Sequence, residues 1–202
     1  MLVMKNHPCL MAPWHYFGRC IKGGGPFAFK MAHGLEIWDY ASQNLEFNKL
    51  FNGGMACTAR VVMKAILTGY EHGFDSIGSL VDVGGGTGGA VAEIVKAYPN
   101  SRVSILICRI DSDCIKILKS CQKVIPEKSW KIIIVDIVLE PNGEGILDDT
   151  GLVFDLLMIA HASGGRERTE SEWKKILEGG GFPRYKVIKI PTIASIVEAY
   201  PM

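Results

Sequence analysis

A glycine-rich turn between an apolar run and a helical pattern places the strongest constraint on how this chain folds. Residues 80–83 form a short apolar run that contains one acid, Asp82, and five glycines and one threonine fill residues 84–89. Helical spacing begins at Ala90. A strand, a tight glycine turn and a helix in this order are the unit of an α/β sheet, and nucleotide-like cofactors bind at such a turn. The sequence therefore predicts an α/β fold with a cofactor site at the end of its first strand.

The chain after this turn continues to alternate between strand and helix patterns. Apolar, β-branched runs predict strands at 101–110 and 131–139, and helical spacing predicts helices at 89–98, 111–121, 149–162 and 169–178. Two short strands at 185–190 and 194–199 are too close together for a helical crossover, so they should pair antiparallel. We expect an α/β fold, a Rossmann-like doubly wound parallel sheet that ends in a C-terminal antiparallel hairpin.

The amino-terminal part of the chain has helical patterns and no strand pattern. Its longest helix is predicted from Asn44 to Tyr70, where Phe47, Phe51 and Met55 lie four residues apart and share one face. We expect a single partial domain over residues 1–202, with a helical region at 1–75 and a cofactor-binding α/β region at 76–202.

Composition excludes partners that need a strong electric field. Twenty-two basic and 21 acidic residues give a net charge of +1, so neither nucleic acid nor a membrane surface is an expected partner. We expect no membrane-spanning run, no signal peptide and a cytoplasmic location. The spacing of the six cysteines and five histidines fits no zinc site, so we expect no metal and free thiols.

Two classes of cofactor fit the spacing of the glycines. Gly84, Gly86 and Gly89 match the G-x-G-x-x-G pattern of dinucleotide sites. With Gly88 as the third glycine, the turn matches the G-x-G-x-G pattern of methyl-donor sites equally well. Asp82 favours the methyl donor, because a pyrophosphate gains nothing from a nearby acid whereas S-adenosylmethionine has a cationic amino acid end. A nicotinamide-dependent oxidoreductase remains an alternative that rests on the glycines alone.

Short motifs occur in a particular order along nearly the whole chain, at 13–15, 32–34, 37–40, 47–52, 54–55, 80–88, 113–119, 134–136, 165–169, 172–173 and 181–182. Together they resemble the plant small-molecule O-methyltransferases of the caffeic acid, flavonoid and alkaloid type. The resemblance implies methyl transfer from S-adenosylmethionine to the hydroxyl of a small phenolic metabolite. In that family a histidine removes the phenol proton, which matters because a free phenol has a pKa of about 10.

Three groups of residues take roles from this resemblance. The two carboxylates that orient the histidine correspond to Asp136 and Glu167. The donor-binding loop corresponds to Asp82, Gly84, Gly86 and Gly88. The positions that line the acceptor and methyl region correspond to Phe47, Phe51, Met55 and Met158. Without the resemblance, the first three of these positions would be typical of a core stripe on a helix.

The chain departs from the family between Asn100 and Asp111, where only Ser101 to Ile110 stand in place of a long segment. The family has there an acid for the adenosine ribose and a His-Asp-Trp motif that supplies the catalytic histidine. No acid occurs between Glu93 and Asp111, and no histidine occurs between His72 and His161. The resemblance therefore implies an internal deletion that removes the base and the ribose acid. His161 itself is expected to be a structural histidine on a helix.

Two functional readings remain open at this point. The chain is an O-methyltransferase, or it is a catalytically impaired remnant or splice form that acts only as a binding or pairing partner. The amino-terminal helical domain that forms the family's homodimer is absent from this sequence, so we do not expect the ordered dimer. If inner strand–helix units are missing, the sheet must either close the gap or expose an edge. An apolar strand 103–108 without a proper neighbour would invite association, and we expect the chain to be marginally stable and to self-associate.

Overall fold

The structure is a computed structural model that describes residues 1–23, 27–70, 73–74, 78–84, 88–98, 102–106, 111–124 and 131–201. The chain forms two compact units. A helical unit comprises Met1–Thr58 and Leu152–Arg166, and a sheet unit comprises Ala59–Gly151 and Glu167–Met202. The boundary predicted at residue 75 stays a prediction.

Helices and strands follow one another in the order expected from the sequence. The helices are α1 (Leu2–Lys5), α2 (Pro8–Met11), α3 (Trp14–Gly23), α4 (Ala28–His33), α5 (Ile37–Gln43), α6 (Leu45–Gly69), α7 (Gly89–Ala97), α8 (Asp111–Val124), α9 (Asp148–His161) and α10 (Glu170–Gly179). The strands are β1 (Gly78–Val83), β2 (Arg102–Leu106), β3 (Ile132–Asp136), β4 (Val138–Leu139), β5 (Arg168–Thr169), β6 (Arg184–Lys189) and β7 (Ser195–Tyr200).

The helical unit has its own hydrophobic cluster at the start of α6. Asn44 caps this helix, because its Oδ1 accepts a hydrogen bond from the backbone N–H of Phe47 at 3.0 Å. The buried members of the cluster are Met4, Leu10, Phe29, Ile37, Ala41, Phe47 and Phe51. Gly54 lets Met4 approach the helix, since a Cβ at this position would lie 2.3 Å from the Met4 sulfur. This close packing explains the glycine at position 54, whereas a Cβ at Gly53 would meet no atom within 4 Å.

Helix α6 is long and apolar enough to cross a membrane by length and composition alone. The expectation that no run could span a bilayer is therefore wrong on length. Phe47 and Phe51 nevertheless bury in the cluster of the helical unit, and Met63 and Ile66 bury in a cluster of the sheet unit. Over its most apolar 18 residues, 22% are buried in the structure.

The main sheet has five strands in the order β1-β2-β3-β7-β6. The first three are parallel. β7 runs antiparallel to both of its neighbours, and Val187 of β6 lies opposite Val197 of β7. The predicted parallel sheet with a C-terminal antiparallel hairpin is therefore confirmed.

The strand predicted over 131–139 is broken after Asp136. The Asp136 carboxylate accepts a hydrogen bond from the backbone N–H of Ile137 at 2.9 Å, so this amide does not continue the ladder. The chain then leaves the main sheet, and β4 pairs with β5 in a separate two-stranded sheet.

Different helices cover the two faces of the main sheet. On one face, Leu118 of α8 and Trp173 of α10 pack in a cluster with Ile132 and Ile134 of β3. On the other face, Ile94 of α7 packs with α6 in a cluster that contains Ile133 and Ile196. Because successive residues of a strand point to opposite faces, α7 and α8 lie on opposite sides of the sheet.

This placement gives the sheet an unusual connection. The connections β1–α7–β2 and β2–α8–β3 step across the sheet in the same direction, yet their helices lie on opposite faces. Two such crossovers have opposite hands, so one is left-handed, although about 98% of crossovers are right-handed. In a doubly wound sheet of order 3-2-1-4-5, the second and third strands lie beyond the first. If this chain has lost the second and third strands of such a sheet, α7 still covers the face that it would cover in the complete sheet. The connection β1–α7–β2 is then the left-handed one.

Of the two alternatives for strand 103–108, the sheet closes the gap over the described residues 102–106. β2 pairs on one side with β1, where Asp82 lies opposite Ile105, and on the other side with β3, where Leu106 lies opposite Ile134. The lost units belong to the end of a doubly wound sheet and not to its middle. Among the described strands, β1 is therefore the outermost one at this end.

Cysteine usage also differs from the expectation. Cys114 is fully buried and disulfide-bonded, whereas Cys9, Cys20, Cys57 and Cys121 are free thiols. Composition does not reveal which sulfur atoms the fold brings within bonding distance. Burial raises the pKa of the Cys121 thiol, so this group stays protonated at neutral pH.

Candidate functional site

The predicted donor turn connects the end of β1 to the start of α7. Gly84 and Gly88 have φ values of +83° and +75°, a left-handed conformation that side chains with a Cβ rarely adopt. Gly88 is also the residue from which α7 starts. The glycines at these two positions are therefore required by the backbone itself. Gly86 lies outside the described residues, so its predicted role stays a prediction.

Asp82 sits near the end of β1, directly before this turn. Both of its carboxylate oxygens are buried and have no hydrogen-bond partner among the residues that the structure describes. Burial raises the pKa of this carboxyl, because a carboxylate without partners is poorly stabilised away from water. An unpaired buried carboxylate is unfavourable in a structural role and needs an explanation such as a bound group. A cationic amine or a hydroxyl at this point would satisfy it.

Asp136 and Glu167 each lie shortly before one strand of the small parallel sheet. Val138 of β4 lies opposite Arg168 of β5, so Asp136 and Glu167 both fall at the amino end of this ladder. Glu167 is buried. Asp136 is also the last residue of β3, and its carboxylate accepts the Ile137 N–H. The register thus places both acids at the same end of this ladder, and their paired role stays a prediction.

The same backbone relations bring these acids to the edge that carries the donor turn. β1 and β3 are both parallel to β2, so their carboxyl ends, with Asp82 and Asp136, face the same edge of the sheet. One strand separates them, which corresponds to roughly 10 Å at the usual strand spacing. Ligands of open α/β sheets bind at this edge.

The four residues predicted to line the acceptor region lie in the helical unit. Phe47 and Phe51 are buried, with ring centroids 5.8 Å apart, and Met55 packs against their cluster. Met158 lies on α9, close to Gly165. A Cβ added to Gly165 would lie 3.1 Å from the terminal methyl carbon of Met158. Phe47 and Phe51 are core residues of this unit, as their helical spacing alone predicts; their contact with an acceptor stays a prediction.

His161 has no ring nitrogen available for catalysis. Its Nδ1 and Nε2 each lie 2.8 Å from a backbone carbonyl oxygen, of Leu157 and Leu10 respectively, and the residue is 7% exposed. Burial lowers the pKa of the ring, although the two carbonyls oppose this shift. The prediction of a structural histidine is confirmed. Within the described part of the sheet unit, the sequence contains no histidine at all.

Sequence reasoning missed a polar cluster around Glu198 on β7. The available signal was one acid inside an otherwise apolar strand, Ser195–Tyr200. Glu198 is 2% exposed and is bonded to two lysines and two tyrosines.

Comparison with known proteins points to one family. An O-methyltransferase domain family matches residues 14–108 and 103–183. Xanthohumol 4-O-methyltransferase of Humulus lupulus is 44% identical over 240 positions, which cover 99% of this chain and 66% of the relative. (R,S)-reticuline 7-O-methyltransferase of Papaver somniferum is 39% identical and covers 100% of this chain and 68% of the relative. The chain thus spans about two thirds of the length of these relatives.

Solved structures share the fold at low sequence identity. Human N-acetylserotonin methyltransferase in complex with S-adenosylmethionine superimposes with a TM-score of 0.82 at 15% identity, over 98% of this chain and 68% of that one. The crystal structure of LaPhzM gives a TM-score of 0.83 at 22% identity, over 99% and 71%.

The comparisons also bear on the internal deletion. The alignment with the Humulus enzyme has 240 positions but the chain has 202 residues, so at least 38 positions of the alignment have no residue of this chain. The two family matches meet at residues 103–108, next to the predicted interruption. The chain belongs to the O-methyltransferase family.

Proposed function

We propose that this chain binds S-adenosylmethionine at the end of β1 and belongs to an O-methyltransferase that acts on a small phenolic acceptor. The observation that carries the proposal is the unpaired, buried carboxylate of Asp82 beside a turn with two left-handed glycines. The relatives are named for methylation of xanthohumol and reticuline hydroxyls, which supports a small phenolic acceptor for the longer protein.

The residues at the turn fit one end of the donor. Asp82 offers two oxygens to a cationic or hydroxyl group, and Gly84 and Gly88, which have no side chain, allow a ligand close access to the backbone. S-adenosylmethionine, when bound, supplies a methyl group activated by its sulfonium. An acid for the ribose has no counterpart between Glu93 and Asp111. We therefore expect donor affinity about ten- to a hundredfold weaker than in longer relatives, the effect of one charge-assisted hydrogen bond.

Proton removal from the acceptor is the catalytic step for which this chain offers the fewest suitable residues. Asp136 and Glu167 can orient a base, but the described residues of the sheet unit include no histidine for them to orient. Loss of a general base typically lowers a rate by about 10²–10⁴-fold. We expect the 202-residue chain to transfer methyl groups slowly or not at all.

A second candidate function is a binding or pairing partner that has no turnover. Two observations favour it: at least 38 aligned positions are missing, and both ring nitrogens of His161 are already engaged. This form would still bind the donor, in the cytoplasm where we place the protein. The two candidates differ in turnover and not in donor binding.

Calorimetry and a methyl-transfer assay test the proposal together. The parent chain and two variants are each titrated with S-adenosylhomocysteine at up to millimolar concentration. The variants are Asp82→Asn and Glu144→Gln, a control that removes the same charge at an exposed residue. We expect weak saturable binding that Asp82→Asn abolishes and the control retains. No binding by the parent chain, or equal binding by all three, would overturn the proposed donor site.

A radiolabelled methyl assay against a panel of phenols then separates the two candidates. Turnover near zero supports the pairing partner. Robust turnover supports the enzyme, and its loss in His161→Ala would contradict the structural role assigned to that histidine.

A further inference from the structure

Glu198 anchors a charged network in the interior of the sheet unit. Its Oε1 accepts hydrogen bonds from the Tyr70 hydroxyl and from the Lys131 ammonium at 2.5 Å. Its Oε2 accepts from the Lys186 ammonium at 2.8 Å and from the Tyr200 hydroxyl at 3.0 Å. These four donors fill the accepting capacity of a carboxylate.

Counted over the described residues, the network leaves some of the lysine N–H donors without an acceptor. An ammonium group has three N–H donors. Lys131 uses two of them, on Glu198 and on the Tyr70 oxygen at 2.8 Å, and Lys186 uses one. Two lysines and one glutamate also leave a local charge of +1. Burial, and then the charge of Lys186, lower the pKa of Lys131, and an anion bound beside the two ammonium groups would oppose this shift.

These spare donors border a cleft of about 480 Å³. Lys131, Lys186, Glu198 and the two tyrosines line it, together with Ile188 of β6 and the end of α6. Its volume lies within the range of small-molecule sites. Lys186 is 57% exposed and Lys131 is 16% exposed, so one ammonium lies at the rim and the other lies deeper.

The cleft is separate from the donor turn. Lys131 directly precedes the first residue of β3, whereas Asp82 is the last residue but one of the parallel strand β1 and the turn follows that strand. The two sites therefore lie at opposite ends of the parallel strands. A ligand in the cleft would not occupy the methyl-donor position.

We propose that this cleft binds a small anion through a carboxylate or phosphate group held between Lys131 and Lys186. The anion would use the three unused N–H donors and neutralise the excess positive charge of the cluster. The tyrosine rings and Ile188 form the remaining wall, which suits a ligand with an apolar body. This inference does not rest on the proposed function.

Anion titrations by NMR or calorimetry at constant ionic strength test this site. Inorganic phosphate and succinate are the two probes, and chloride is the reference. We expect saturable binding of at least one probe, and the probe that binds more tightly tells whether phosphate or carboxylate chemistry is preferred. Absence of saturation with both probes would overturn the proposal.

Three single substitutions in β6 test whether the anion binds at Lys186. Lys186→Met should weaken binding about tenfold or more, as expected for a charge-assisted contact, and Lys186→Arg should retain it. Lys189→Met is the matched control, because Lys189 is 67% exposed and pairs instead with Glu140 at 2.6 Å. Circular dichroism checks the fold of each variant. An equal loss of binding in Lys186→Met and Lys189→Met would show a general charge effect and contradict the assigned site.

Discussion

The unpaired carboxylate of Asp82 leads to a prediction in which stability and ligand binding change in opposite directions. Replacement by asparagine keeps the size and shape of the side chain and removes its charge. In the protein without ligand, this change relieves a buried carboxylate whose two oxygens have no partner. In the complex, it removes the group that would hold the cationic end of the donor.

Both effects have an expected size. An unsatisfied buried polar group costs about 1–3 kcal/mol, and a charged one costs more. Because the amide is neutral, we expect Asp82→Asn to raise the free energy of unfolding by at least about 1 kcal/mol at neutral pH. For a chain of this size, that gain corresponds to an increase in Tm of about 2–4 °C. Donor affinity should fall about ten- to a hundredfold.

The pH dependence has a defined sign. Burial raises the pKa of Asp82 in the folded protein above its unfolded value of about 3.9. The folded state then holds the proton more tightly, so this group loses stability as pH rises from about 4 through the folded pKa. The difference in stability between Asp82→Asn and the parent chain should therefore be small below about pH 4 and grow above it.

Thermal or urea unfolding between pH 4 and pH 8 measures this difference, and Glu144→Gln provides the control for a change of net charge at an exposed position. The same samples are titrated with S-adenosylhomocysteine. A destabilised Asp82→Asn variant, or a stability difference that shrinks with rising pH, would refute the view that Asp82 is an unsatisfied ligand-binding group.

Three further predictions concern the sheet unit. Glu198→Ala should lower the free energy of unfolding by about 3–5 kcal/mol, because it leaves Lys131 without its buried partner. Glu140→Ala, which removes one member of a surface ion pair, should lower it by less than about 1 kcal/mol. Urea denaturation compares the two variants, and equal losses would contradict a buried network. Hydrogen exchange should be faster in β1 than in β7, since β1 is paired on one side only among the described strands, and equal protection would count against this order. Light scattering after size exclusion should show association that grows with protein concentration. The reason is that β1 is the outermost described strand at one end of the sheet and its Val81 is 56% accessible. A monomer at all concentrations would rule out association through β1.

Local signals in the sequence account for most of the elements. The β-branched runs identified β2 and β3, and the short link before Ser195 identified the hairpin of β6 and β7. The break after Asp136 was missed, because it depends on one side-chain bond to Ile137 inside a run that looks continuous. Hydrophobic pattern does not report such a competing bond.

Long-range order was harder to obtain from the sequence. The position of β2 between β1 and β3 depends on which faces the helices cover, and this is decided by contacts such as Ile94 with Ile133. The acids Asp136 and Glu167 could be paired by family resemblance, and the register of β4 and β5 brings them to the same end. The cluster at Glu198 was missed, because its partners come from four separate segments of the chain.

The left-handed connection affects the order in which this chain can assemble during synthesis. A right-handed strand–helix–strand unit can close as soon as its second strand leaves the ribosome. Here α7 needs the face that Ile133 and Ile196 complete, and β7 ends only at Tyr200. At the usual elongation rates, roughly 6–23 s separate the synthesis of Val83 from that of Tyr200. During that interval β1 and its apolar helix are exposed in the nascent chain, so the period of greatest dependence on chaperones falls before the last strand is made.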